Sequence, residues 1–116
     1  MRALALAAVA ALALAACGGD DSNTGGEPEM PPEQVVAAGD AAKGREVFGA
    51  SCAACHGADG GGGSGPKLAG EQAYTDPATV VNQVRNGGGG MPAFADSLDE
   101  QELADVSAFV VEELAP

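Results

Sequence analysis

Tryptophan is absent, and the aromatic side chains amount to Phe48, Tyr74, Phe94 and Phe109. A core built from alanine, valine and leucine in so short a domain is marginal on its own. Basic residues are scarce as well: 5 against 17 acidic, a formal net charge of −12 in 116 residues. That balance excludes nucleic acid as a partner. No apolar run is long enough for an ordinary membrane helix, which needs about 18 residues; Ala3 to Ala16 comes nearest with 14. Strand-like alternation is missing from residues 39–116. There are three cysteines and one histidine. They cannot supply the two spaced pairs of a four-ligand structural zinc site.

Two of those cysteines and the sole histidine stand together, as Cys52-Ala53-Ala54-Cys55-His56. A C-x-x-C-H run reads as a c-type haem attachment site. On one helical turn, residues i and i+3 share a face. Two thiols so placed can add to the two vinyl groups of one haem, and His56 can set an imidazole nitrogen against the iron. No other imidazole competes for it. A thioredoxin-like redox pair needs a βαβ context that the flanking sequence lacks. A plain disulfide explains the cysteines but not the adjacent histidine. A covalently held haem also supplies the missing apolar volume, so a poorly folded apo form is expected.

The two ends of the chain have other tasks. Residues 1–16 have a positive start at Arg2 and an apolar run, the pattern of an export signal. The run ends in Leu14-Ala15-Ala16-Cys17. This resembles the bacterial lipoprotein signal, in which cleavage leaves a lipidated cysteine at the new N-terminus. Lipidation of Cys17 would explain an exported cysteine with no pair; ordinary secretion with a free Cys17 is the alternative. Acyl anchoring becomes stable with two or more chains. Gly18 to Gly39 is rich in Gly, Pro, Ser, Asn and acidic residues. Such a stretch cannot bury enough surface to order itself. Residues 17–38 then form a lipidated cysteine and a flexible acidic tether, with a reach of at most roughly 70–80 Å.

Residues 39–116 read as the haem domain. Asp40 suits an N-cap for a helix over 41–51. Gly44 in its middle costs about 1 kcal/mol against alanine, and is expected to admit a crossing helix. The glycine-rich stretch 57–65 is a loop, with no Lys-Ser/Thr after it to make a phosphate cradle. A ligating imidazole usually donates its other N–H to a carbonyl or carboxylate, and the carbonyl of Pro66 is the candidate acceptor. Asp76-Pro77 starts a helix to about Asn86, with Val80, Val81 and Val84 as its apolar face and Gly87 as its stop. Gly87 to Gly90 then lead to Met91-Pro92. Glycines permit close approach to a flat cofactor, and Met91 becomes the candidate second axial ligand. Ser97 and Glu100 read as a capping box for a last helix to about Leu114. Its stripe is Leu103, Val106, Val110 and Leu114, and Val106 and Phe109 are expected to meet the first helix at Gly44 and Phe48.

Five stretches in this order resemble the small bacterial class I cytochromes c: Gly39-Asp40-Ala41-Ala42-Lys43-Gly44 with Phe48, the Cys52–Gly57 run, Gly65-Pro66-Lys67-Leu68-Ala69-Gly70, Gly90-Met91-Pro92-Ala93-Phe94, and the final helix. The resemblance covers essentially the whole domain. It implies an all-α fold of three to four helices around one covalently attached haem c. It implies thioethers from Cys52 and Cys55, axial ligation by His56 and Met91, and a pocket that includes Pro66 and Leu68. It also implies electron transfer rather than substrate chemistry, by a monomer that meets redox partner proteins such as a quinol–cytochrome c reductase or a terminal oxidase. Family members often hold a haem propionate with a Trp or Tyr; here Tyr74 or Arg85 is the nominee. With the tether, the whole reads as a carrier on the extracytoplasmic face of a membrane. The alternatives are a fixed haem subunit of an oxidase or dehydrogenase and, if Met91 does not bind, a haem peroxidase or gas sensor.

Overall fold

The computed structural model describes residues 29–116. Residues 1–28, with the expected export signal, Cys17 and most of the expected tether, lie outside the described residues. Among those described, the elements are α1 (Pro32–Ala38), α2 (Ala41–Ser51), α3 (Ala53–His56), a 3-10 turn (Gln72–Thr75), α4 (Pro77–Asn86), α5 (Glu100–Ala108) and a π-helical extension of α5 (Phe109–Leu114). The only β feature among them is an isolated bridge between Gly88 and Met91. The all-α expectation holds, with α2, α4 and α5 as the principal helices. No described helix is long and apolar enough to cross a membrane.

The crossing of α2 and α5 frames the domain. Asp40 caps α2, its Oδ1 accepting from the N–H groups of Ala42 at 2.9 Å and Lys43 at 3.3 Å. At Gly44 the two backbones touch: an added Cβ would run into the carbonyl of Asp105 and lie 2.8 Å from Cβ of Phe109. One turn on, the rings of Phe48 and Phe109 pack with centroids 5.4 Å apart and tilted by 59°, a favourable aromatic arrangement. Asp105 is only 4 % exposed. Its Oδ1 accepts from the Asp40 N–H at 2.7 Å and from Gln101 Nε2 at 2.8 Å, which offsets the cost of burying a carboxylate. In α4, Asp76 accepts from the hydroxyl of Thr79 at 2.7 Å and from its N–H at 3.0 Å. These bonds, the hydroxyl's first, hold the Asp76 carboxyl below its ordinary value.

Three expectations are corrected. The end of the tether is ordered: Pro32–Ala38 is a helix with Val35 and Val36 buried. Composition averaged over the whole stretch hides seven residues that start with proline at the first turn, where its missing N–H costs nothing, and carry two adjacent valines to a docking face. Gln101 Nε2 donates to the Ala38 carbonyl at 3.1 Å, and Arg85 lies 3.7 Å from both Glu29 and Glu100. The last helix is capped by Asp99 and Glu102, not Ser97 and Glu100. The two patterns overlap in sequence. A carboxylate is the stronger acceptor at the positive end of a helix, and starting at Asp99 puts Leu98 and Leu103, both buried, at the two positions of a hydrophobic staple. Finally, the helix does not run regularly to Leu114. From Phe109 it widens to i→i+5 bonding, as in Ala115 N–H to the Val110 carbonyl at 2.9 Å.

Candidate functional site

α2, α3, the 3-10 turn, α4, α5 with its π-helical extension and the two glycine-rich loops line a cavity of about 420 Å³. Its size falls in the range of small-molecule sites. Cys52, Cys55, His56, Pro66, Leu68 and Met91 all line it, and so does Tyr74. Arg85 does not; it is spent on Glu29 and Glu100 instead. Cys17 lies outside the described residues. Among the described residues, no charged side chain lines the cavity.

The local sequence explains how each group arrives. Cys52 ends α2 and begins α3, and its carbonyl accepts from the N–H of His56 at 3.0 Å. This single turn sets both cysteines and the histidine on the wall of the same cavity. The loop after it folds back on the turn: Gly62 N–H meets the His56 carbonyl at 2.7 Å and Gly65 N–H meets the Cys55 carbonyl at 2.8 Å. Gly65 lies so close that a Cβ there would be 3.0 Å from Cε1 of His56. The loop thereby delivers the Pro66 carbonyl to His56 Nδ1 at 2.8 Å. A carbonyl can only accept, so Nδ1 is the donor, and in the neutral ring the lone pair is then on Nε2. His56 is buried, and its orientation is fixed before any ligand arrives.

The two thiols form no disulfide. Burial, and then the neighbouring Cys55, push the Cys52 thiol up to about 11. Dithiol oxidoreductases work the other way, with a depressed thiol, so the redox C-x-x-C reading has no support here. Met91 is half-buried and returns through the bridge to Gly88, with Gly88 N–H to the Met91 carbonyl at 2.9 Å. One residue of this region escaped the sequence reading. Gln83 lines the cavity, and its Nε2 lies 3.3 Å from the Gly88 carbonyl and 3.6 Å from Met91 Sδ. Its place on the cavity side of α4 follows from its standing three residues after Val80, but its two partners arrive only with the folded loop.

A haem fits this donor set. Phe48, Leu68, Val80, Val84, Val106 and Val110 supply apolar walls. One imidazole lone pair and one thioether share the cavity, with two thiols at its rim for covalent attachment.

Known proteins agree with that chemistry. The family described as "Cytochrome C oxidase, cbb3-type, subunit III" matches residues 39–110. Cytochrome c6 of Leptolyngbya boryana is 39% identical over 78 residues, covering 63% of this chain and 92% of that protein. In structure, cytochrome c6 of the diatom Phaeodactylum tricornutum superposes with a TM-score of 0.56 at 34% identity, over 63% of this chain and 92% of that one. Cytochrome cL of Hyphomicrobium denitrificans, at 24% identity and a TM-score of 0.56, covers 70% of this chain and 51% of its own and shares the fold. With a two-cysteine, one-histidine turn opening on an apolar cavity and a matching family pattern over the whole domain, the chain belongs to the class I mono-haem cytochromes c, electron-transfer proteins with one covalent c-type haem.

Proposed function

We propose that this protein is a membrane-tethered carrier of single electrons, with the thioethers of Cys52 and Cys55 and the axial ligands His56 and Met91 holding its haem. The observation that carries this reading is the shared cavity: a buried imidazole with its Nε2 lone pair free and a methionine thioether face one apolar space. When bound, the haem supplies the ferric–ferrous couple. The chain supplies the rest. Pro66 fixes the tautomer and ring of His56, Leu68 and the valines keep water out, and the Met91 sulfur raises the reduction potential relative to a second imidazole. With His56 and Met91 both as ligands, the chain would leave oxygen and peroxide no place on the iron. Cys55 is exposed, so the thioether edge is the natural exit for an electron.

Met91→Ala tests the ligand set. The variant is expected to open the sixth position, lose the low-spin ferric spectrum with its sulfur-to-iron band, bind carbon monoxide readily when ferrous, and have a lower midpoint potential. A spectrum and potential equal to the parent's would mean that another group holds that site.

The tether belongs to the same proposal. Cys17 is the lipidation site, placing the domain on the extracytoplasmic side. Cys17→Ser is expected to move the protein from the membrane fraction to the soluble fraction, or to leave it as unprocessed precursor. Mass spectrometry of the mature N-terminus checks this, and an unmodified N-terminus beyond residue 17 would sink the anchor. Because α1 docks on the domain, the free tether ends near Glu29. Twelve residues from Cys17 then reach at most about 40 Å. The donors and acceptors in this reading are a quinol–cytochrome c reductase and a terminal oxidase. A fixed haem subunit is the second reading, favoured by the oxidase subunit for which the matching family is described.

A further inference from the structure

The last apolar residue of the α5 stripe does not do what its spacing implies. Val106 and Val110 line the cavity. A regular α-helix would carry Leu114, four residues after Val110, to the same face. The i→i+5 turns over Phe109–Leu114 take more residues to complete a circle, so Leu114 falls short of that face. It does not line the cavity and meets the first glycine-rich loop instead. A Cβ on Gly60 would lie 2.8 Å from Leu114 Cδ2, 2.9 Å from its Cδ1 and 3.1 Å from its Cγ. The branched end of the leucine thus covers a buried glycine. The Leu114 carbonyl accepts from the Gly70 N–H at 3.1 Å.

These two contacts bracket the segment that serves His56. The Gly60 carbonyl accepts from the N–H groups of Leu68 at 2.8 Å and Ala69 at 3.0 Å. Between Gly60 and Leu68 stands Pro66, whose carbonyl is 2.8 Å from His56 Nδ1. Residues 60–65, five glycines and a serine, bring few side-chain contacts of their own to fix this shape. Pro66 and Lys67 are exposed. Among the glycines of the loop, Gly60 is the one that faces a side chain of the last helix.

We infer that Leu114 is a positioning residue for the axial histidine: by clamping Gly60 and Gly70 it holds the Pro66 carbonyl on His56 Nδ1, and through that bond it lowers the reduction potential. The inference rests on His56 being an axial ligand. An imidazole that donates its second N–H to a carbonyl is the more basic ligand, and a more basic ligand favours the ferric state. Releasing the clamp lets the Pro66 carbonyl drift, and the balance moves toward ferrous. No bond to iron breaks and no proton leaves the ring, so the effect is graded.

Leu114→Ala is the test, made on the holoprotein beside Val111→Ala and Leu114→Met. Val111 is half-buried against the core on the same π-turns and does not line the cavity. In a potentiometric titration, Leu114→Ala is expected to raise the ferrous-to-ferric ratio at a fixed applied potential by roughly twofold to fivefold, part of what one net hydrogen bond is worth. In nuclear magnetic resonance of the ferrous protein, the proton on His56 Nδ1 should move upfield and exchange faster with solvent. Leu114→Met should restore both readings, and Val111→Ala should leave both at the parent's values. An unchanged ratio and an unchanged Nδ1 proton in Leu114→Ala overturn the clamp. So does a Val111→Ala that shifts them as far, since any loosening of the helix end would then suffice. A ratio that shifts while the Nδ1 proton stays put overturns the route through Pro66. Failure of His56 as a ligand reads differently. Its ring protons in the ferric parent would lack the displacement that the unpaired electron of the iron gives to ligand protons, and the ligand assignment itself would fall.

Discussion

Cys52→Ala combined with Cys55→Ala is expected to give a protein that keeps no haem through acid–acetone extraction and has lost most of its helical signal. The first half follows from chemistry. Both thiols stand at the rim of the cavity and neither is engaged in a disulfide. Without them nothing covalent remains, and in the proposed ligand set His56 and Met91 would have to hold the group by coordination alone. The second half follows from volume. Cavities cost about 24 cal/mol per Å³ in the best-studied series. Applied to the 420 Å³ found here, that figure is at most about 10 kcal/mol, comparable with the entire stability of a small domain, about 5–15 kcal/mol. The chain has no large side chains with which to fill the space. Of its four aromatics, Phe48, Tyr74 and Phe94 already line it. Acid–acetone extraction and far-UV circular dichroism check the two halves separately. Haem that survives extraction from the double variant would show that it is attached elsewhere, and a fully helical haem-free protein would show that the cavity closes on itself.

The sequence carried the site further than it carried the frame around it, for physical reasons. A haem-binding turn is local: five consecutive residues hold two thiols and an imidazole, so Cys52, Cys55 and His56 are legible without a fold. Pro66 and Met91 are not local to it; the sequence nominates them from what a ligating histidine would need and from the glycines before Met91, and both line the cavity. Gln83 was missed because its role depends on two partners, the Gly88 carbonyl and Met91 Sδ, that only the folded loop brings within 3.6 Å. Arg85 was misjudged for the mirror reason. Its partner Glu29 lies far back in sequence, on a stretch whose overall composition reads as disordered. The cap of α5 shows a third limit. Ser97…Glu100 and Asp99…Glu102 are equally good patterns on paper, and the choice between them is made by burying Leu98 and Leu103. Nothing in the sequence marks the π-helical turns after Ala108.

Gly44→Ala is expected to destabilise the holoprotein by at least about 3 kcal/mol, in the range of severe overpacking. Local helix propensity points the other way, since alanine in place of a mid-helix glycine is worth about 1 kcal/mol in the favourable direction. The close approach decides the sign. The added Cβ would collide with the Asp105 carbonyl, and Phe109 Cβ is 2.8 Å away. Main chain cannot rotate aside as the end of a long side chain can, so α2 and α5 must part. That movement also strains the hydrogen bond from the Asp40 N–H to Asp105 and the packing of Phe48 on Phe109. Gly49 offers the control on the same helix. It is exposed, and a Cβ there meets nothing within 4 Å. Gly49→Ala is expected to stabilise by about 0.5–1 kcal/mol, through propensity alone. Denaturant titration of the two holoproteins should therefore move the midpoint in opposite directions for the same chemical change. Equal shifts for the two would mean that α2 and α5 do not meet at Gly44. A stabilised Gly44→Ala would mean that the crossing yields by more than a packed pair of backbones can.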